Sequence, residues 1–249
     1  MKKEKIEILR YNKVDENLAV LIELHKLISK NNKLNNHLIY FDTNFPSYFK
    51  KIIADPKFNY IFTLRINGEV EGVIHFKIFD DIIFLNNICL SENCQGKGFG
   101  KIFLFESLNL LNKTDFKYFN LDVFMSNQQA FLWYKNFGLE ENKSTKWTQI
   151  FLINNQEDKN LSDEIIIKKD LNGFNSLFFN DLKIATIVNN TTMLLHDLTY
   201  IKQMPLNNYI LITNQNTELL QNENFNVIDL DTSVRMVCPM KTLLNNLIN

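Results

Sequence analysis

Apolar and polar positions alternate across residues 5–11, the period of a half-buried strand. Leu18, Leu21, Ile22, Leu24, Leu27 and Ile28 then fall on one face of a helix, with Asp15 as its candidate cap. After a polar break at residues 31–36, residues 45–54 predict a shorter helix with Pro46 in its first turn. Residues 58–66 and 70–79 are β-rich and are joined by Asn67 and Gly68, a strong hairpin signal. A turn at Asp80 and Asp81 leads into a third β-rich run, 82–90. Together these runs predict an antiparallel meander.

The pattern then changes. Residues 91–100 form a loop holding three of the seven glycines. Residues 101–111 have helical spacing, 116–124 read as a strand, 127–137 as a helix closed by Gly138, and 146–153 as a closing strand. This order predicts an α+β (α/β) fold with a mixed, mostly antiparallel central sheet flanked by helices. Residues 154–162 are polar and aperiodic, a candidate linker. Net charge is near +3 before it and near -4 after it. Beyond it, strands are expected at 165–169, 176–179, 182–188, 193–198, 209–213 and 234–237, with a short helix near 217–221. The predicted organisation is a first domain at 1–153, the linker, and a smaller β-rich domain at 163–249.

Composition narrows the classes. The chain has 249 residues, 45% of them hydrophobic and 22% charged, as in soluble globular proteins. A net charge of -1 suggests neither nucleic acid nor a membrane surface as partner. No run of about 18 apolar residues occurs, and the charged start lacks a signal-peptide pattern. Cys89, Cys94 and Cys238 lack metal-ligand spacing. The expectation is a cytoplasmic protein with reduced thiols and no metal. About one residue in seven is Asn, so an isolated Asn carries little signal.

Candidate chemistry centres on Gln95-Gly96-Lys97-Gly98-Phe99-Gly100, followed by Lys101. Between a strand and a helix, such a loop can hold a phosphate on its backbone N–H groups, and glycine admits both positive φ and close approach. Two other phosphate loops are excluded. A P-loop would need glycine at Gln95 and Ser or Thr at Ile102. A G-x-G-x-x-G dinucleotide loop would need glycine at Lys101 or Phe103. What fits is Q/R-x-x-G-x-G/A, on Gln95, Gly98 and Gly100. About 30 residues on, Asn127, Ala130, Tyr134 and Gly138 are spaced 3, 4 and 4 apart, which places the first three on one helical face.

The two motifs together resemble the GNAT acetyltransferase family, whose second motif is N-x-x-A-x-x-x-Y-x-x-x-G-F; only Leu139 departs from it. The resemblance covers residues 1–153 in layout and 82–139 in motif. It implies a GNAT fold and acetyl-CoA as acyl donor. It implies that Gln95, Gly96, Lys97, Gly98, Phe99, Gly100 and Lys101 bind the pyrophosphate. Ile88, Cys89 and Leu90 would line the pantetheine arm and supply an oxyanion N–H. Asn127 and Ala130 would lie beside that arm, and Tyr134 would be the acid that protonates the leaving thiolate. The implied reaction acetylates an amine of a small molecule or peptide, the acceptor itself being unidentified. Many family members carry a Glu base on the fourth strand, where this chain has Asn86 and Asn87. Glu71, His75 or a water chain are substitutes. His37 and Asp42 lie where the family shapes its acceptor pocket. The C-terminal part reads as a degenerate second GNAT-like unit, an unrelated β appendage or a dimerisation element, so a homodimer stays open. Two other functions are open: a CoA-binding regulator without catalysis, and a tRNA-dependent aminoacyl transferase, which the intact glycine loop disfavours.

Overall fold

A computed structural model describes residues 4–29, 33–111, 116–152, 164–204, 209–220 and 225–248. The expected linker at 154–162 lies outside them. The strands are β1 (Ile6–Arg10), β2 (Asn59–Ile66), β3 (Glu69–Phe79), β4 (Ile82–Leu90), β5 (Tyr118–Phe124), β6 (Glu140–Leu152), β7 (Ile165–Lys169), β8 (Asn175–Phe179), β9 (Leu182–Asn189), β10 (Thr192–Leu195), β11 (Ile210–Thr213) and β12 (Phe225–Pro239). The helices are α1 (Leu18–Lys26), α2 (Phe45–Ala54), α3 (Phe99–Leu111), α4 (Gln128–Asn136) and α5 (Met240–Ile248). The chain forms two compact units. Unit 1 is Met1–Lys30, Phe49–Ser144 and Val234–Asn249; unit 2 is Asn31–Tyr48 and Thr145–Ser233. The division falls inside one helix and two strands, since α2 enters unit 1 at Phe49, β6 leaves it after Ser144 and β12 enters it at Val234.

In unit 1 the strand order is β1-β2-β3-β4-β5-β12. β1 to β4 are antiparallel neighbours, and β4 and β5 are parallel. Asn67 and Gly68 both have positive φ, as a two-residue hairpin between Ile66 and Glu69 requires. The core is built from alternate residues of β2 to β5 together with Phe103, Leu104 and Leu108 of α3 and Leu243 and Leu247 of α5. Arg235 of β12 grips the Asp122 carboxylate of β5 with Nε and Nη2, and the Met240 N–H bonds the Lys117 carbonyl at 2.8 Å.

Unit 2 repeats this order with its own strands. β7 to β10 are successive antiparallel neighbours, β10 and β11 are parallel, and β6 lies antiparallel beside β11. Its core gathers Leu177, Ile184, Met193, Leu195 and Leu211. The connections differ from those of unit 1. Where α3 joins β4 to β5, the described residues between β10 and β11 hold a six-residue 3-10 helix, Leu198–Gln203. Another 3-10 turn, Glu218–Leu220, follows β11.

Three elements depart from expectation. β6 starts six residues earlier than the predicted strand. β12 is 15 residues long rather than a short strand at 234–237. Helix α5 was not anticipated; nine residues are too few to hold a helix by propensity alone, and burial of Met240, Leu243 and Leu247 supplies the rest.

Candidate functional site

The site begins with an irregularity in β4. His75 pairs with Asn87 while Phe76 pairs with Leu85, so Asn86 is an extra residue, a β-bulge. On the other side of β4, the parallel pairing with β5 stops at Leu85 and Leu121. Past the bulge, residues 86–90 have no partner in β5. The direction of their backbone follows from one bond: the Ser91 N–H donates to the Glu71 carbonyl of β3 at 2.8 Å. Alternate residues point alike, so Cys89 also turns its N–H towards β3, and Ile88 and Leu90 turn theirs towards the opening beside β5. Ile88 and Leu90 thus offer backbone donors where an acyl-carrying arm would lie, while Cys89 contributes its side chain.

The glycine loop closes one end of this opening. Gln95 does not reach outward with its amide; its Nε2 donates to the Leu90 carbonyl at 2.9 Å and ties the loop to β4. Gly96 and Gly98 have φ of +71° and +84°, values costly for any other residue. Residues 95–98 are exposed. The Gly98 carbonyl accepts from Lys101 and Ile102, so α3 starts directly after it. The first N–H groups of this 13-residue helix lack intrahelical acceptors and carry its positive dipole end, with Lys97 and Lys101 beside them. At Gly100 a Cβ would touch the Trp133 ring at 3.4 Å, an ordinary contact distance, so the ring lies directly against this glycine. Trp133, which the sequence pattern did not single out, therefore seats α4 against the head of α3.

Asn127 is the N-cap of α4 rather than a residue on its face: its side chain accepts the Ala130 N–H at 3.1 Å. Ala130 is partly buried against the core. At the other end, Gly138 takes φ +85°, with bonds from Gly138 to the Lys135 carbonyl and from Leu139 to the Tyr134 carbonyl, a Schellman ending. Between these caps Tyr134 is buried. Burial, reinforced by the neighbouring Cys89, raises its pKa well above that of an ordinary phenol, so the hydroxyl keeps its proton at neutral pH. Burial likewise raises the Cys89 thiol, which stays neutral.

The candidate bases are placed as follows. The Glu71 carboxylate accepts from the Ser91 hydroxyl. His75 is buried on β3 with Nε2 2.9 Å from Asn59 Oδ1. Asn87 is buried, and neither of its amide atoms has a hydrogen-bond partner. His37 and Asp42 belong to unit 2, where His37 Nδ1 lies 2.9 Å from Thr192 Oγ1. Among the described residues no three His, Cys, Asp or Glu side chains group as a metal site, and no helix is long and apolar enough to cross a membrane. Sequence reasoning missed the Asn86 bulge, the Trp133 seat and the orphaned Asn87; none leaves a pattern in spacing.

Residues 23–139 match the model of the acetyltransferase (GNAT) family. No curated protein sequence is significantly similar to the chain. Among solved structures, the chain resembles a tandem GNAT protein from the clavulanic acid biosynthesis pathway, at 10% identity and TM-score 0.59, covering 94% of this chain and 98% of that one. It also resembles a putative acetyltransferase from Pyrococcus horikoshii, at 8% identity and TM-score 0.56, covering 98% of this chain and 92% of the other. At these identities the likeness concerns the fold.

Proposed function

We propose that this chain, whose residues 23–139 match the model of the acetyltransferase (GNAT) family, transfers an acetyl group from acetyl-CoA to a primary amine of a small molecule or peptide. The observation that carries the reading is the coincidence, within unit 1, of the opening past Leu85 and Leu121 with the glycine loop and a protonated Tyr134. The residues fit the donor. Exposed N–H groups at the head of α3 bind the pyrophosphate, and Lys97 and Lys101 add positive charge. Backbone groups of Ile88 and Leu90 pair with the pantetheine arm, and one of their N–H groups holds the developing oxyanion. Asn127 fixes the first turn of α4, and Ala130 leaves room beside it. Tyr134 gives its proton to the leaving thiolate; the phenol is a weaker acid than a thiol of pKa near 8.5, so it is protonated at neutral pH and the transfer is driven by its coupling to C–S cleavage and collapse of the intermediate.

Unit 2 fits a degenerate second GNAT-like unit, since it repeats the strand order without a glycine loop or a long helix. In the proposal unit 2 does not bind CoA. The proposed setting is the cytosol, whose reducing conditions suit three free, buried cysteines. A second reading, a CoA-binding regulator, is favoured by one observation: Asn86 and Asn87 stand where a carboxylate base is expected.

Thiol release from acetyl-CoA over a panel of amines and N-terminal peptides separates the two. An enzyme turns over at least one acceptor, and Tyr134→Phe lowers kcat by roughly 10²-fold or more while calorimetric CoA affinity holds. CoA binding without turnover supports the regulator, and no CoA binding removes both readings.

A further inference from the structure

Asn87 presents a physical problem. It is 6% exposed, and neither Oδ1 nor Nδ2 has a partner. A buried amide left without hydrogen bonds is destabilising, and native proteins rarely keep one unless something else satisfies it. Directly across the β3–β4 pair stands His75, 1% exposed. Opposed residues of an antiparallel pair project from the same face, about 5 Å apart at Cβ. The two side chains are thus neighbours, yet they do not bond each other.

The proton on the His75 ring can be assigned. Asn59 Nδ2 lies 3.3 and 3.4 Å from the backbone carbonyl and carboxylate of Asp55, both acceptors, so its amide orientation is fixed. Asn59 Oδ1 therefore faces His75 Nε2 at 2.9 Å, and Nε2 must be the protonated nitrogen. Nδ1 is left with its lone pair. Burial first, then Lys77 and His25, keep this imidazole uncharged. A line of polar groups runs from the bulge through His75 and Asn59 to the exposed Asp55.

We infer that Asn87 and His75 hold one buried water between them, and that His75 Nδ1 is the proton acceptor of acyl transfer through that water. The inference rests on the acetyltransferase reading and supplies the base that Asn86 and Asn87 cannot. A water needs two to four polar partners, and Oδ1, Nδ2 and Nδ1 provide them. When the acceptor nitrogen bonds to the thioester carbon, its N–H becomes strongly acidic. The water takes that proton as it passes one of its own to His75 Nδ1. The C–S bond then breaks, and the thiolate takes the Tyr134 proton. Afterwards His75 releases one proton to solvent and Tyr134 recovers one, so the sum is amine plus acetyl-CoA giving amide plus CoA. A weak, neutral base suits this order, because it acts on an ammonium already formed rather than on a free amine. Asn87 and Asn59 are positioning residues.

A crystal structure of the wild-type protein tests the water without any acceptor. The expected result is an ordered water bonded to Asn87 and to His75 Nδ1. An Asn87 amide satisfied by protein groups, with no water at Nδ1, overturns the inference whatever the enzyme acetylates. Melting of Asn87→Leu adds a second check: losing an amide that only a water satisfies should leave the melting temperature unchanged or higher, and a marked drop speaks for a structural Asn. With the fastest acceptor from the amine panel, His75→Ala should lower kcat about 10²-fold at unchanged CoA affinity, with partial rescue by added imidazole. Asn87→Leu should lower kcat without such rescue. Wild-type kcat in His75→Ala refutes the base; failure of every amine, with the water in place, refutes the acetyltransferase reading instead.

Discussion

The two units share a strand order and differ at their parallel strand pair and at the connection that joins it. In unit 1 the parallel pair β4 and β5 separates after Leu85 and Leu121, because Asn86 bulges and turns the rest of β4 away. In unit 2 the equivalent pair stays zipped over all four residues of β10, from Thr192 to Leu195. A closed parallel pair consumes its own N–H and C=O groups; an opened one offers them to a ligand. The same contrast runs through the connections. A 13-residue helix after a glycine loop presents free N–H groups, and a short 3-10 turn does not. One strand order therefore supports a site or a plain wall, depending on a single inserted residue and the length of a crossover.

The sharpest way to break this comparison is to load both units with the same change. Gly98→Glu should abolish CoA binding by calorimetry, since it puts a carboxylate and a strained φ into the loop. Gly173→Glu, at φ +92° in a turn of unit 2, should leave CoA binding intact. Equal losses would mean that the units are not functionally distinct. Next in size is Leu177→Ala in the unit 2 core, where the side chain is wholly buried. It should destabilise by about 2–5 kcal/mol in denaturant melts while the folded protein keeps its CoA affinity.

A pH titration of stability probes unit 1. Burial holds His25 at about 4, against 6.5 for a free imidazole. Below pH 6.5 the unfolded chain binds a proton that the folded chain refuses. This group's contribution is therefore complete above 6.5 and declines towards pH 4, by about 1.4 kcal/mol per unit. His75 is shifted in the same direction. His25→Leu should flatten the slope measured by chemical denaturation between pH 6.5 and 4, and an unchanged slope would count against a buried neutral His25. The smallest effect expected is that of Gly138→Ala, at φ +85° with Asn246 and Thr242 within 3.0 Å of the new Cβ. It should cost roughly 1–2 kcal/mol in thermal melts and leave CoA affinity unchanged.

Much of unit 1 was legible in the sequence, because its signals are local. The Asn67–Gly68 hairpin, strand β3 and strand β4 stand where apolar period and turn chemistry put them. The Gly98 and Tyr134 motifs predicted a loop and a helix that the fold does bring together around β4. What stayed hidden depends on distant partners. Asp229 and Asp231 are poor strand formers, yet both sit in β12, where Lys146 pairs with Asp229. The reading of Asn127 as a face residue failed for a related reason, since an Asn before a helix caps it when its side chain turns back to the N3 amide. Asn87 was noted only as a missing carboxylate; its burial and unpartnered amide depend on the fold around it and leave no mark in the sequence.

The place of β12 bears on how the protein is made. Arg235 and Asp122 are 113 residues apart in sequence, and their strands are neighbours in unit 1. A ribosome that has finished every residue of the glycine loop and of α4 has not yet made the strand that flanks β5 or the helix that fills its core. Truncation after residue 153 therefore removes an outer strand and a helix of unit 1 as well as most of unit 2. Contacts so distant in sequence are slow to form, and until they do the β5 edge is exposed to other chains. The fold of unit 1 thus depends on residues near both ends of the sequence: a nascent copy that carries both motifs still lacks β12 and α5.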